Sequence, residues 1–95
     1  MRDLSPYPSL FSELRQLDLQ RNQLCGTVPG SIGRLQNLLY LNIKDNQNLS
    51  GRLPLTQLLS LSKLNRLSLV HCNFVDTDYA IEALKAHLPR CKVWI

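Results

Sequence analysis

The chain has 95 residues, of which 44% are apolar, and 11 lysines and arginines against 7 acidic residues give a formal net charge of +4 at pH 7. This length supports one domain with a thin core, and the absence of any run of like charges disfavours nucleic acid or a membrane surface as the partner. No stretch approaches the roughly 20 apolar residues that a transmembrane helix needs.

The cysteines stand at irregular positions, Cys25, Cys72 and Cys91. They form neither a disulfide framework nor a Cys-x-x-Cys motif. The first residues contain an acid and two prolines where a secretory signal has a continuous apolar core. We therefore expect a cytoplasmic setting, although residues 48–50 (Asn-Leu-Ser) would be a glycosylation sequon in the secretory pathway.

The first segment of the chain, Met1–Glu13, contains Pro6 and Pro8, which oppose a helix before residue 8. Phe11 precedes Leu14 by three residues, which is a spacing that recurs before the later repeats. The segment is therefore predicted to be an N-terminal capping half-repeat, which covers the leucines of the first strand.

A repeat of about two dozen residues organises the rest of the chain. Its register marks are Leu14, Leu38, Leu64 and Leu88, which stand 24, 26 and 24 residues apart. A period in the twenties is the signature of a solenoid. We therefore predict one domain, residues 1–95. Its capping half-repeat is followed by repeats at 14–37, 38–63 and 64–87 and by a terminal strand at 88–95.

Each repeat is predicted to begin with a short strand. Positions 1, 4 and 6 of every unit are apolar, and the alternation between positions 4 and 6 is that of a half-buried strand. Strands that carry the same face, one full turn of chain apart, stack as a parallel sheet. The apolar residues are Leu14, Leu17, Leu19, Leu38, Leu41, Ile43, Leu64, Leu67, Leu69, Leu88, Cys91 and Val93.

Position 9 of the units holds Asn22, Asn46 and Cys72. A side-chain amide at a turn donates and accepts at once, so it can satisfy backbone groups of its own coil and of the neighbouring one. We predict that these three residues form a structural ladder along the stack, in which the cysteine is the weaker donor.

The segments that return from one strand to the next differ in kind. The first two contain Gly-x-x-Pro, at Gly26–Pro29 and Gly51–Pro54, which favours turns and short helical or extended paths. In the third, apolar residues fall at helical spacing and predict an α-helix over Asp78–His87. Cys91–Ile95 is then the closing strand.

The pattern LxxLxLxxNxLxGxxP resembles the plant-specific class of leucine-rich repeats. The residues that carry it are Leu14, Leu17, Leu19, Asn22, Leu24, Gly26 and Pro29, and then Leu38, Leu41, Ile43, Asn46, Leu49, Gly51 and Pro54. The third unit resembles the helix-backed, cysteine-bearing repeats of intracellular members. This resemblance implies a short right-handed α/β solenoid. It would have a parallel sheet of about four strands on the concave face, with turns, 3₁₀ segments and one α-helix on the convex face.

In such a solenoid, strand residues between the core leucines face outward on the concave side. We predict a partner-binding surface there, composed of Gln16, Asp18, Tyr40, Asn42, Lys44, Arg66, Ser68, His71, Lys92 and Trp94. Tyr40, Arg66 and Trp94 are of the types enriched at interface hot spots. The alternatives are that these are ordinary solvated strand residues, and that Trp94 folds over the last strand as a lid.

The sequence does not suggest an enzyme, because it shows no serine–histidine–acid set, no paired carboxylates and no phosphate-binding glycine loop. His71 is interpreted as a surface or packed residue rather than a metal ligand, and no metal or cofactor is expected. Cys72 and Cys91 take core or ladder positions, which leaves Cys25 as the cysteine expected to be exposed.

The leading hypothesis is a non-catalytic protein–protein interaction module that binds an unidentified protein partner through the concave face. One alternative is a structural subunit or homo-oligomer that docks through the open ends of the solenoid, with the edge at Lys92–Ile95. Another is that the chain is part of a larger leucine-rich repeat receptor or effector. Nucleic-acid binding through Lys44, Arg66, Arg90 and Lys92 is disfavoured.

Overall fold

A computed structural model describes residues 13–22 and 24–95, so the predicted capping segment lies, apart from Glu13, outside the described residues. Seven strands are present within these ranges: β1 Gln16–Asp18, β2 Cys25–Gly26, β3 Tyr40–Asn42, β4 Asn48–Arg52, β5 Arg66–Ser68, β6 Asn73–Val75 and β7 Lys92–Trp94. The helical elements are a 3₁₀ helix Gly30–Arg34, α1 Leu55–Leu59 and α2 Thr77–His87.

The first sheet contains the strands that open the repeats, in the order β1-β3-β5-β7, and all of its neighbours are parallel. Leu17, Leu41, Leu67 and Val93 are aligned across the four strands by this register. One turn of chain separates each strand from the next, because parallel neighbours require a crossover connection. The predicted α/β solenoid with a four-stranded parallel sheet is therefore confirmed.

A second, three-stranded sheet was not predicted. It has the order β2-β4-β6, is also parallel, and is built from residues that follow the ladder position of each coil. Its strands are two to five residues long, which is too short for a period-two alternation to reveal them. The first three coils are consequently joined along two separate lines of backbone hydrogen bonds, and the last described coil along one.

The register of the last strand differs from the prediction. Counting from Leu88 places Trp94 at position 7, whereas the structure pairs Trp94 with Ser68, which is at position 5. The reason is that Leu88 was taken as the first leucine of a unit, and it is instead the residue that caps α2. Its carbonyl accepts from the Cys91 N–H at 2.9 Å, as the carbonyl of Leu61 accepts from Leu64. Cys91 therefore occupies the place that leucine has in the earlier coils.

The core is a continuous apolar column between the first sheet and the return segments. Its best-buried side chains, below 2% exposure, belong mainly to the second and third coils: Ile32, Leu35, Leu38, Leu41, Ile43, Leu49, Leu58, Leu61, Leu67 and Leu84. Their counterparts in the first coil, Leu14, Leu17, Leu19 and Leu24, are only partly buried. The middle of the stack is thus the part that burial stabilises most.

Helix α2 is the one long helical element among the described residues and agrees with the predicted Asp78–His87 to within one residue. Its buried side chains are Ala80 and Leu84. The acid Asp78 lies in its first turn and Lys85 in its last, where each charge interacts favourably with the helix dipole. Pro89 follows directly and cannot continue the helix.

Two glycines with left-handed backbone provide a matched test of the second sheet. Gly51 has φ +76°, and a Cβ there would lie 2.8 Å from Cγ2 of Thr27, whereas Gly26 has φ +81° and nothing within 4 Å. We expect Gly51→Ala to lower the free energy of unfolding by about 1–3 kcal/mol. Gly26→Ala should cost less, because it carries the backbone strain without the close contact. Urea denaturation measures both, and equal losses would contradict a role for the Thr27 contact.

Candidate functional site

Two rows of side chains cross the first sheet on the side opposite its core leucines, because successive strand residues point to opposite faces. Row three contains Gln16, Tyr40, Arg66 and Lys92, and row five contains Asp18, Asn42, Ser68 and Trp94. We call these eight residues the concave face. All eight were predicted to bind a partner. The other two residues of that prediction, Lys44 and His71, lie outside these rows.

Row three is the accessible row. Gln16, Arg66 and Lys92 are exposed and Tyr40 is half-buried. Neighbouring strands lie about 4.8 Å apart. Arg66 therefore lies directly between Tyr40 on one side and Lys92 on the other. The row therefore combines one aromatic and two positively charged side chains on three adjacent strands.

Row five is accessible only at its ends. Asp18 is exposed and Trp94 is 45% exposed, but Asn42 and Ser68 are only 3% and 6% exposed. Both are short side chains in the two central strands, each with a neighbouring strand on both sides. Asn42 also accepts a hydrogen bond from the backbone N–H of Lys44 at 3.2 Å. These two predicted site residues therefore expose little surface to a partner.

A column of polar side chains borders the concave face at position 8 of the repeats. Arg21, Asp45 and His71 each have a left-handed backbone, with φ of 57°, 60° and 60°. Nδ1 of His71 lies 2.7 Å from one carboxylate oxygen of Asp45, and Nε of Arg21 lies 3.5 Å from the other. His71, which the sequence presented as isolated, thus belongs to a cluster. The repeat spacing of 24 and 26 residues contains this information, since it aligns the three residues in one column.

The position-8 column predicts a dependence of stability on acidic pH. The hydrogen bond with His71, followed by that with Arg21, holds the pKa of Asp45 below its ordinary value of 3.8, although desolvation opposes this. A carboxylate with a lowered pKa stabilises the fold above its unfolded-state pKa and loses that contribution as pH falls through the folded value. We therefore expect wild type to lose its advantage over Asp45→Asn below about pH 4. Unfolding free energies measured from pH 2.5 to 6 would show it, with Glu82→Gln, at an exposed position in the middle of α2, as the control that should not reproduce the effect.

The position-9 column holds Asn22, Asn46 and Cys72 directly beside the first sheet. The Nδ2 group of Asn46 donates to the carbonyls of Ile43 at 2.9 Å and Leu19 at 3.0 Å, and its Oδ1 accepts from the N–H of Leu24 at 3.3 Å. In the next coil, the thiol of Cys72 lies 3.1 Å from the carbonyl of Ile43. Asn46 and Cys72 therefore each bind to the backbone of the preceding coil.

The three cysteines differ in environment. Cys25 is exposed, as expected, while Cys72 is half-buried and Cys91 is buried. Burial raises the pKa of both the Cys72 and the Cys91 thiols. A raised pKa keeps a thiol protonated at neutral pH, which is opposite to the property that a nucleophilic cysteine needs. Within residues 13–22 and 24–95, no three histidine, cysteine or acidic side chains are grouped as a metal site requires.

An open groove of about 790 Å³ lies away from the concave face, where β4 and β6 end and α2 begins. Val75 and Tyr79, two of its lining residues, are 51% and 72% exposed. Nε of Arg52 lies 3.0 Å from a carboxylate oxygen of Asp76 at its rim. The lining also contains the acidic Asp78, so the groove has no cation beyond the paired Arg52 and differs in charge from row three. We therefore place the candidate site on the concave face.

The family model described as Leucine Rich Repeat matches residues 13–35, which contain β1, β2 and the 3₁₀ helix. No curated protein matches the chain significantly. In the part of the chain that the structure describes, no helix has the length and apolar character needed to cross a membrane.

Proposed function

We propose that this chain, which is a leucine-rich repeat protein, is a non-catalytic module that binds a protein partner through its concave face. Repeat solenoids in general use such extended surfaces for binding. The observation that carries the proposal is the composition of the accessible part of this face. Tyr40, Arg66 and Trp94 are there together, and tyrosine, arginine and tryptophan are the residues that most often supply binding energy at interfaces.

The dimensions of the face indicate the kind of contact that it can make. Four strands span roughly 14 Å across the sheet, and positions 3 to 8 span roughly 17 Å along it. This area is smaller than the roughly 800 Å² per partner of a standard interface. The surface therefore suits a short segment or loop of a partner. Lys44, which is half-buried, and the exposed His71 extend the surface at one side.

A selection from an unbiased displayed peptide library tests this proposal. The selected peptides should perturb NMR signals of the concave face. The triple variant Tyr40→Ala, Arg66→Ala, Trp94→Ala should weaken their binding by tenfold or more, on the order expected for hot-spot residues. The matched control is Tyr79→Ala combined with Lys85→Ala, which removes an exposed aromatic ring and a cation from α2. Undiminished binding by the triple variant would refute the site assignment.

Self-association through the end of the stack formed by β6 and β7 is the second candidate. Val75 and Ile95 are 51% and 53% exposed at this end. In the described residues, β6 and β7 each have a strand on one side only, and an open strand edge can pair with a second chain. Sedimentation at micromolar concentrations tests this candidate. A folded monomer would argue against it, while a dimer that Val75→Ser dissociates would support it.

A further inference from the structure

We infer that the concave face recognises an acidic, extended segment of its protein partner, with one carboxylate held between Arg66 and Lys92. This inference rests on the proposed function and specifies the chemistry of the partner. It follows from three features of the face: two cations that have no ion-pair partner among the described residues, carboxylates that are already engaged, and an aromatic residue on either side of the cations.

The two cations are direct neighbours, and neither has a counter-ion among residues 13–22 and 24–95. Arg66 and Lys92 are register partners on β5 and β7, and like charges placed opposite each other destabilise a sheet. The ion pairs in the described part of the chain are Arg21–Asp45, Arg52–Asp76 and His71–Asp45. Neither Arg66 nor Lys92 belongs to them. Both side chains are exposed, so an external anion can reach the site and remove the repulsion.

The carboxylates on and beside the same face are already engaged. The two oxygens of Asp18 accept from the backbone N–H of Gln20 at 3.2 Å and from its Nε2 at 3.0 Å. The carboxylate of Asp45 binds Arg21 and His71. Asp18 also lies on β1, at the opposite end of the sheet from Lys92. The face is therefore positive over β5 and β7, and an acidic residue is favoured there.

Two aromatic residues flank the cations. Tyr40 is the register partner of Arg66, and Trp94 lies two residues beyond Lys92 on the same face of β7. Row three and row five are separated by about 6.6 Å, the distance between side chains i and i+2 of an extended chain. An extended segment with an acidic residue and an apolar residue two positions later fits both rows. The phosphates of a nucleic acid would also meet Asp18 and Asp45, and two adjacent cations provide few contacts for them.

The single tryptophan of the chain provides a direct measurement. Trp94 emission is recorded while the blocked peptide Ser-Glu-Thr-Leu-Ser is added, and then with Ser-Gln-Thr-Leu-Ser. We expect a saturable change with the first peptide and about tenfold weaker binding of the second, because charge-assisted hydrogen bonds are lost. Binding of the acidic peptide should also weaken as salt is added. Equal affinity for the two peptides would overturn the inference.

A charge-reversed variant shows whether weaker peptide binding comes from the lost cations or from a folding defect. The variant Arg66→Glu, Lys92→Glu should lose the acidic peptide and prefer Ser-Lys-Thr-Leu-Ser, which no loss of structure can produce. The control Arg34→Glu, Lys85→Glu makes the same change in net charge on the return segments and should retain the original preference. A reversed variant that still favours the acidic peptide would overturn the inference. So would a single-stranded oligonucleotide that binds the wild type more tightly than the acidic peptide does.

The library selection separates this inference from the proposed function. Selected peptides that are neutral or basic but bind the concave face would refute the acidic partner and leave the protein-binding function standing. Selected peptides that bind elsewhere, with affinities unchanged by the triple alanine variant, would refute both. Acidic peptides on the concave face would support both.

Discussion

Replacing Asn46 by alanine should lower the free energy of unfolding by about 3 kcal/mol, because the substitution removes a buried amide that binds four backbone groups and leaves the N–H of Leu24 without its acceptor. The side chain is 1% exposed. It donates to the carbonyls of Leu19, Ile43 and Lys44 and accepts from the N–H of Leu24. Two of these groups belong to the first coil, so the loss should also loosen the first coil from the second.

Asn22→Ala is the matched control for this experiment. Asn22 occupies the same position in the preceding coil and donates to the carbonyls of Leu19 and Gln20, but it is exposed. Water can replace its hydrogen bonds, so we expect a loss of about 1 kcal/mol or less. Asn46→Cys should fall between the two, because Cys72 occupies the equivalent place one coil later. Denaturant unfolding followed by circular dichroism measures all three, and equal losses for the two alanine variants would contradict the argument.

The sequence predicts the first sheet well because two independent periods agree there. Leu17, Leu41 and Leu67 recur at the repeat period, and the apolar residues two positions beyond them follow the strand alternation. The position-9 residues were found in the same way. Where the repeat period and the strand alternation coincide, the register of neighbouring strands can be counted directly from the sequence.

The register of the last strand could not be counted in this way, because the helix that precedes it changes the number of residues in the coil. Leu88 has the spacing of a strand leucine and of a helical core residue at once, and its tertiary role is the second. Sequence spacing does not distinguish these roles. The shift moves Trp94 into row five and Lys92 next to Arg66. The sequence thus places several cations on this face, but only the structure identifies Lys92 as the direct neighbour of Arg66.

The exposure of individual side chains on the concave face also could not be predicted from the sequence. Strand alternation states that Asn42 and Ser68 point away from the core leucines, which is true, but both are nevertheless buried. A pattern along one strand contains no information about how much of a short side chain the neighbouring strands cover. The contacts of the position-8 column were missed for a related reason, since Asp45 and His71 meet only when the coils stack.

Leu67→Ala should have the largest effect on stability of the substitutions proposed for the strands. Leu67 is 0% exposed in the middle of the row that joins Leu17, Leu41 and Val93. Truncating a fully buried leucine costs about 2–5 kcal/mol, because it removes transfer free energy and leaves a cavity. The total stability of a small domain is about 5–15 kcal/mol, so the variant should unfold at much lower temperature or denaturant concentration.

The same substitution at the end of the row should cost less. Leu17 is only half-buried, so Leu17→Ala should lose about 1–2 kcal/mol, in proportion to the apolar area that it hides from water. In a repeat solenoid each coil contacts only its neighbours. Leu67→Ala therefore weakens the contacts of the third coil with both the second and the fourth, and Leu17→Ala weakens the contact of the first coil with the second. Denaturant curves of the two variants measure the difference, and equal losses at the two positions would contradict a core that is concentrated in the middle coils.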